Sequence, residues 1–348
     1  MNEITVDPGI LRGFTAEIFA AAGMSPADAE IEADVLVWAN LRGVDSHGVL
    51  RIPWYIKNVD DGVFNPKPNI RIERETVATI LIEGDQAFGP IVTVFAMDKV
   101  MEKAREAGVC WGIIRNTTHQ GAMAYYALKA AEKGMAGIIS VCSPPNMAPF
   151  GARAKGVHNS PISVAVPANK YDPLVLDMAT SVVAGGKLSL AEDKGVEIPP
   201  EWSLDPKGNS TTIPSFDNIL LPVGGPKGSG LALMFETLSS VMVGNPLLER
   251  NVVGQNPTPR GLQNSFLMAI DISAFTDLNE YRANIDALID AQKSLRMAEG
   301  FEEIMVPGEP EFRIQAQREK GGIPLPIGTV QNIRPIASRF GVDMPFGE

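Results

Sequence analysis

The sequence predicts an α/β chain, α+β-like in that helices fill its first part and strands begin only near residue 70. Two observations point there. Apolar stripes at helical spacing, each preceded by a capping side chain and a proline, occupy the N-terminal stretch. From Ile70 onward, runs with strand and helix periodicity interleave, a pattern that ordinarily means a parallel, doubly wound sheet. A third observation restricts the class. Gly-x-Gly-x-x-Gly is missing: the pair Gly228 and Gly230 is followed by Leu233 where the third glycine of a dinucleotide turn belongs.

Element by element, Asp7-Pro8 and Ser25-Pro26 open two helices that close at Gly23 and Gly43. Ile31, Val35, Leu36 and Ala39 form the apolar stripe of the second. The polar turn Asp45-Ser46-His47-Gly48 follows, then a helix over Val49–Val59 with Pro53 in its first turn. Strands are predicted at Ile70–Arg74, Val77–Glu83, Val109–Ile114, Gly137–Cys142, Ile162–Pro167, Leu174–Met178 and Phe266–Ile272. Helices are predicted at Ile91–Ala107, Met123–Lys133, Gly228–Val243 and Leu278–Met297. The last forty residues read as loop, short strand and closing helix.

Composition excludes several classes. The chain has 348 residues, 45% hydrophobic and 20% charged, with a net charge of −11. No cationic run exists to bind nucleic acid or an anionic membrane, so neither is expected as a partner. No apolar run approaches the about 20 residues of a membrane span, and the N-terminus has no signal-peptide pattern. Two cysteines, Cys110 and Cys142, rule out a disulfide scaffold and fit free thiols in a reducing cytoplasm. Only three histidines occur, so imidazole chemistry has three candidates: His47, His119 and His158.

Four constellations carry chemistry. In Ser46-His47-Gly48-x-x-Arg51-x-x-x-Tyr55 an imidazole on a turn precedes an arginine and a tyrosine that share one helix face. A cation fork beside an imidazole suits a carboxylate next to a reducible carbonyl, although Ser46 and His47 are equally consistent with capping the next helix and Arg51 with a solvated surface charge. Asn116-Thr117-Thr118-His119-Gln120-Gly121 lies between a strand and a helix, a favoured ligand position in α/β proteins, and also a place for a histidine that caps the helix or packs the loop. Asp177-Met178-Ala179-Thr180-Ser181 ends an apolar strand with a carboxylate that could orient an imidazole, hold a ribose hydroxyl or cap a helix. Leu221-Pro222-Val223-Gly224-Gly225-Pro226-Lys227-Gly228-Ser229-Gly230 opens a long helix and either offers backbone N–H groups and a lysine to an anion such as a pyrophosphate or is a plain flexible turn. A weaker fifth, Ser143-Pro144-Pro145-Asn146, follows a strand and could present hydroxyl and backbone groups to a cofactor, and its prolines equally fit a fixed loop; His158-Asn159-Ser160-Pro161, ahead of another strand, carries no reading alone.

The segments SHGVLRIPWY, NTTHQGAMAYYA, SPPNMAPFG, LDMATS, LPVGGPKGSGLALM and IMVPGE, taken together and in order, resemble the malate/L-lactate dehydrogenase family that lacks a Rossmann fold. That family includes ureidoglycolate and sulfolactate dehydrogenases and 2,3-diketo-gulonate and Δ1-piperideine-2-carboxylate reductases. The likeness spans about residues 5 to 340. It implies the family's own fold, with a largely antiparallel cofactor-binding sheet and helical lobes, in place of the parallel sheet that alternation suggests. It implies a domain of residues 1–70 with about 305–348, carrying the SHG-x-x-R site, and an NAD(P)-binding sheet domain over about 71–304 with an inserted helical lobe. It also implies a cytoplasmic homodimer with active sites at the subunit interface.

The activity implied is hydride transfer between NAD or NADP and C2 of a small anionic 2-oxo or 2-hydroxy acid. Alternatives inside the family are reduction of a cyclic imine carboxylate and oxidation of ureidoglycolate. A metal-dependent hydrolase, for which histidine is scarce, and an inactive nucleotide-binding scaffold stand outside it, and no metal site is expected. By the same resemblance His47 and His119 are the acid/base candidates, and Ser46, His47 and Asp177 match a proton relay. Arg51 is the carboxylate clamp, with Tyr55 and Asn159 beside the substrate. Ser143, Asp177, Met178, Ala179, Lys227 and Gly228 match cofactor-contacting positions. Many relatives read Gly-Thr-Asn-Pro where this chain has His158-Asn159-Ser160-Pro161, which places an extra imidazole at the pocket.

Overall fold

The computed structural model describes residues 3–254, 258, 259 and 261–346. The chain opens with β1 (Glu3–Val6), α1 (Pro8–Ala21) and α2 (Pro26–Leu41), then two short 3-10 turns, Asp45–His47 and Val49–Arg51, and α3 (Ile52–Asp60). The caps are those the sequence marks. Asp7 Oδ1 accepts from Gly9 and Ile10 N–H at 2.8 and 3.0 Å, and Ser25 Oγ accepts from Asp28 N–H at 3.2 Å.

There follow β2 (Arg71–Glu75), β3 (Thr79–Glu83), α4 (Gly89–Ala107), β4 (Val109–Thr117), α5 (Ala124–Glu132), β5 (Met135–Cys142), β6 (Ile162–Val166) and β7 (Leu174–Met178). An irregular stretch carries α6 (Gly185–Lys194), the short strands β8 (Ser203–Leu204) and β9 (Ile219–Leu220), and α7 (Pro226–Glu236). A π-helical segment, Thr237–Val241, extends α7, and α8 (Leu248–Val252) follows. The last elements are β10 (Gln263–Asp271), α9 (Leu278–Lys293), α10 (Glu309–Gly321), β11 (Ile323–Pro326) and α11 (Ile327–Phe340).

The main sheet has the order β2-β3-β4-β10-β5-β6-β7. Only the β3–β4 pairing is parallel among the described residues; the others are antiparallel. The doubly wound expectation is therefore corrected, and the largely antiparallel sheet is the one present. Alternation misleads for a definite reason. β3, β4 and β5, each followed by or following a helix, do run the same way, but β10 arrives from much later in the chain and inserts antiparallel between β4 and β5.

One sheet face packs Ile80, Ile82, Ile114, Ile139 and Leu267 against Val92, Met97 and Val100 of α4 and Tyr126, Ala127 and Ala130 of α5. The other packs Ile113, Cys142 and Phe266 against Phe235 and Leu247. Fully burying each large aliphatic contributes about 1.5–3 kcal/mol. A separate cluster gathers Leu11, Ile18, Phe19, Leu36, Ile52 and Tyr55 with Ile323, Leu325 and Ile333, where β1 pairs antiparallel with β11. A third surrounds Met147, Val157, Leu188, Ile198 and Leu220.

The last forty residues are more helical than expected. α10 occupies what reads as loop, because its sequence EPEFRIQAQREKG is polar on nearly every face and carries no apolar stripe. No described helix is long and apolar enough to cross a membrane.

Candidate active site

A cleft of about 1110 Å3 is walled by the end of α2, the Asp45–Arg51 turns, the loops after β4 and β5, β7 with the residues that follow it, and the chain leading into α10. All three histidines line it. So do Ser46, Arg51, Asn159, Ser143, Asp177, Met178 and Ala179, so residues spread over some 130 positions of sequence share one cavity.

His119 sits beyond the end of β4, in a loop pressed against the start of α4. A side chain at Gly89 would meet the His119 carbonyl oxygen at 2.4 Å, so glycine there allows the close approach. Its Nδ1 accepts from the Gly121 N–H at 3.3 Å and lies 2.6 Å from the Tyr55 hydroxyl. The backbone donor makes Nδ1 an acceptor and leaves the ring proton on Nε2. Burial is the main cause that holds the His119 pKa well below 6.5, followed by the charge of Arg51 and the neighbouring His47 and His158.

His47 lies on the Asp45–His47 turn with its Nδ1 2.9 Å from Ser46 Oγ. Its ring stacks on His119, with centroids 5.5 Å apart and planes at 22°. Burial and then the Arg51 charge push its pKa down to about 3. Arg51 donates from Nε to the Ser46 carbonyl at 2.7 Å, and its guanidinium lies 5.9 Å from the Trp54 ring centre. The Ser46–His47–Arg51 constellation is thus assembled within one turn of chain, beside His119.

Asp177, at the end of β7, accepts the Ala124 N–H at 2.8 Å at the start of α5. It faces the open cleft yet is enclosed by its walls, and that crowding raises its pKa to about 7 against the opposing Ala124 bond. Ser46 Oγ pairs with His47 Nδ1, while the hydrogen bond that Asp177 makes is to Ala124. Asn159 is locked to Asn146 in both directions, its N–H donating to Asn146 Oδ1 at 2.8 Å and its Oδ1 accepting from Asn146 Nδ2 at 2.9 Å. Ser143 Oγ is 3.4 Å from the Leu262 carbonyl.

Tyr55, expected beside the substrate, is fully buried outside the cleft lining; its hydroxyl meets the site at His119, and its ring packs on Trp54. Lys227 and Gly228 also lie outside the lining. Lys227 is exposed at the start of α7, and the loop before it is tied to the cleft wall by the Val223 N–H donating to the Thr180 carbonyl at 2.9 Å. Sequence reasoning missed Trp38, Arg42, Gln263 and Glu311 on the walls. Arg42 is 2% exposed, 5.0 Å from the Trp38 ring centre and 4.0 Å from that of Phe312. In sequence it is an ordinary basic residue just past a helix end, and nothing local marks it.

The sequence model of a family described as malate/L-lactate dehydrogenase matches residues 6–334. A malate dehydrogenase of Pyrococcus horikoshii is 38% identical over 98% of this chain and 97% of its own length. An L-sulfolactate dehydrogenase of Methanocaldococcus jannaschii is 37% identical, covering 94% of this chain and 95% of that one. The crystal structure of malate dehydrogenase from Entamoeba histolytica superposes with a TM-score of 0.93 at 26% identity, covering 99% of this chain and 100% of the other.

Proposed function

The chain belongs to the malate/L-lactate dehydrogenase family, and from that premise we propose that its cleft performs reversible hydride transfer between a nicotinamide cofactor and C2 of a small 2-oxo or 2-hydroxy acid. The observation that carries this reading is the joint placement of Arg51 and the stacked His47–His119 pair on one cleft wall. The cavity fits a dinucleotide together with a small acid, since about 1110 Å3 exceeds the room a single drug-sized ligand needs. Its wall also holds a buried acceptor, Gln263 Oε1, without a hydrogen-bond partner among the described residues. Ser143, Gln263 and the Asp177–Ala179 edge are the groups assigned to the cofactor, with Lys227 one loop further out for its phosphates. When bound, the nicotinamide supplies or accepts the hydride at C2.

Arg51 presents two parallel N–H donors to the substrate carboxylate, and its Nε bond to the Ser46 carbonyl fixes the plane of that fork. His119 turns its Nε2 side to the oxygen on C2, because Nδ1 is occupied by Tyr55 and Gly121. A carboxylate seated on Arg51 cancels one of the causes, after burial, that lower the His119 pKa, and so moves the imidazole toward its protonated form. The Tyr55 hydroxyl serves either state, donating to bare Nδ1 or accepting from Nδ1–H. His47, paired with Ser46, stacks behind and fixes the ring.

We also assign the chain to the cytoplasm, where its free, buried Cys110 and Cys142 would stay reduced, and to a homodimer. The apolar side chains Leu231, Leu233, Met234, Val241 and Met242, each 44–57% exposed on and just after α7, support the second assignment. The deciding experiment is a fluorescence titration of the purified protein with NADH and NADPH, followed by turnover against 2-oxo acids and cyclic imine carboxylates. Saturable binding and oxidation by a 2-oxo acid are expected. Oxidation by imines alone would replace the substrate class, and absence of nucleotide binding would remove the reading.

A further inference from the structure

His47 stands on a turn of three residues between two helices, a connection that by itself has little to keep an imidazole stacked on a distant one. Three contacts hold it. Asn40, near the end of α2 and 2% exposed, donates from Nδ2 to Asp45 Oδ1 at 2.7 Å and accepts the Val49 N–H on its Oδ1 at 2.9 Å. Between those bonds the chain passes so close that a Cβ on Gly48 would lie 2.1 Å from Asn40 Oδ1. The third contact comes from 273 residues away. Arg318 of α10 donates from Nη1 to Asp45 Oδ1 at 2.7 Å and from Nη2 to Asp45 Oδ2 at 3.1 Å, and Nη1 also reaches the Asn40 carbonyl.

α10 is itself anchored at both ends of this face. Phe312 and Gln315 take Arg42, the first beneath its guanidinium and the second accepting from its Nη1 at 3.1 Å. Just before the helix, the Pro307 carbonyl accepts the Val175 N–H of β7 at 3.2 Å, and Pro310 and Glu311 form cleft wall near Asp177. The helix therefore braces the histidine turn from the cofactor side of the cleft.

We propose that Arg318, which does not line the cleft, is a positioning residue for the hydride-transfer reaction: its two-pronged hold on Asp45 fixes the Asp45–His47 turn and so the stacking of His47 on His119. The inference rests on the function proposed above. Two parallel N–H···O bonds set both the place and the tilt of the carboxylate, which the single point charge of lysine does not. Misplacing a catalytic group by about 1 Å costs roughly a hundredfold in rate.

The test compares the full chain with Arg318→Gln, Asp45→Asn, the double variant and Arg318→Lys, reading kcat, KM, cofactor Kd and thermal midpoint. Arg318→Gln and Asp45→Asn should each lower kcat about ten- to a hundredfold with cofactor Kd changed less than twofold. The double variant should be no slower than the slower single one, because both remove one clamp, and Arg318→Lys should recover part of the loss. A folded Arg318→Gln protein with kcat within twofold of the parent, or losses that multiply in the double variant, would overturn the proposal. Should Arg318→Gln not fold, Arg318→Lys and Asp45→Asn carry the same comparison. A parent protein without turnover on any 2-oxo acid or imine removes the functional reading alone. The brace is then tested by the imidazole resonances of His47 and His119, which must shift in Asp45→Asn for it to stand.

Discussion

Replacing Tyr55 by phenylalanine separates two roles for this residue that cannot both hold. The ring packs among Phe19, Trp54, Phe64 and Phe88, with centroids 5.4–6.4 Å away, and phenylalanine preserves those contacts. What disappears is one hydroxyl, 2.6 Å from His119 Nδ1, which leaves that nitrogen the Gly121 N–H at 3.3 Å. A buried hydrogen bond of this kind contributes about 0.5–1.5 kcal/mol net. If that stabilisation is felt in the transition state, kcat falls about two- to thirteenfold, at about 1.4 kcal/mol per factor of ten. The loss is smaller than the roughly 10²–10⁴-fold expected from His119→Ala, which removes the acid itself. Steady-state kinetics with a reactive 2-oxo acid and saturating reduced cofactor measures it directly. An unchanged kcat would refute the orienting role, and a raised KM with intact kcat would return Tyr55 to the substrate, as its place beside Arg51 in sequence suggests.

Other consequences follow from the same geometry. Arg51→Lys should raise the KM for the acid about ten- to a hundredfold, because one of two charge-assisted bonds is lost; an unchanged KM would move the carboxylate clamp elsewhere. Burial pushes His158 down to about 3, against about 6.5 in an unfolded chain, so the unfolded state binds its proton first as pH falls. Stability from this group is complete above about pH 6.5 and is lost below it, by about 1.4 kcal/mol per pH unit. Denaturant midpoints between pH 4 and 6.5 should therefore fall less steeply in His158→Gln, and parallel curves would show that His158 is charged when folded. Glu32 is fully buried on α2 with neither carboxylate oxygen partnered among the described residues, and burial raises its pKa well above 4.5. The folded state then keeps a proton that the unfolded state releases above about pH 4.3, so stability drops as pH rises from there. Glu32→Gln should match the parent near pH 4 and exceed it at pH 8; a variant less stable at every pH would mean an ionised, paired Glu32.

Much of the site was legible because its chemistry is local in sequence. Ser46, His47 and Arg51 sit within one short segment, and the fold needs only to keep that segment turned. The capped helices α1 and α2 were legible for the same reason. What could not be read depends on contacts between distant segments. β10 has an unremarkable strand sequence, and nothing in it announces that it will separate β4 from β5. α10 is too polar for its periodicity to register, yet its Glu311 joins Arg42 and Trp38 on the cleft wall. Tyr55 shares a helix face with Arg51, which suggested a shared ligand. Packing against Phe19 and Phe88 instead turns it inward to the far side of His119.

The pairing of Glu3–Val6 with Ile323–Pro326 bears on how the protein is made. The Arg318 that holds the turn bearing His47 is translated 273 residues after Asp45, and the strand that completes the lobe comes later still. β10, the middle strand of the large sheet, is also a late arrival. Local helices can form during synthesis, whereas the large sheet must wait for β10 and the reactive turn for α10, so closure is dominated by contacts of long sequence separation and is correspondingly slow. A ribosome stalled ahead of β10 would carry a chain with His47, His119 and His158 already made, but with neither the middle strand of the sheet nor the clamp on the histidine turn.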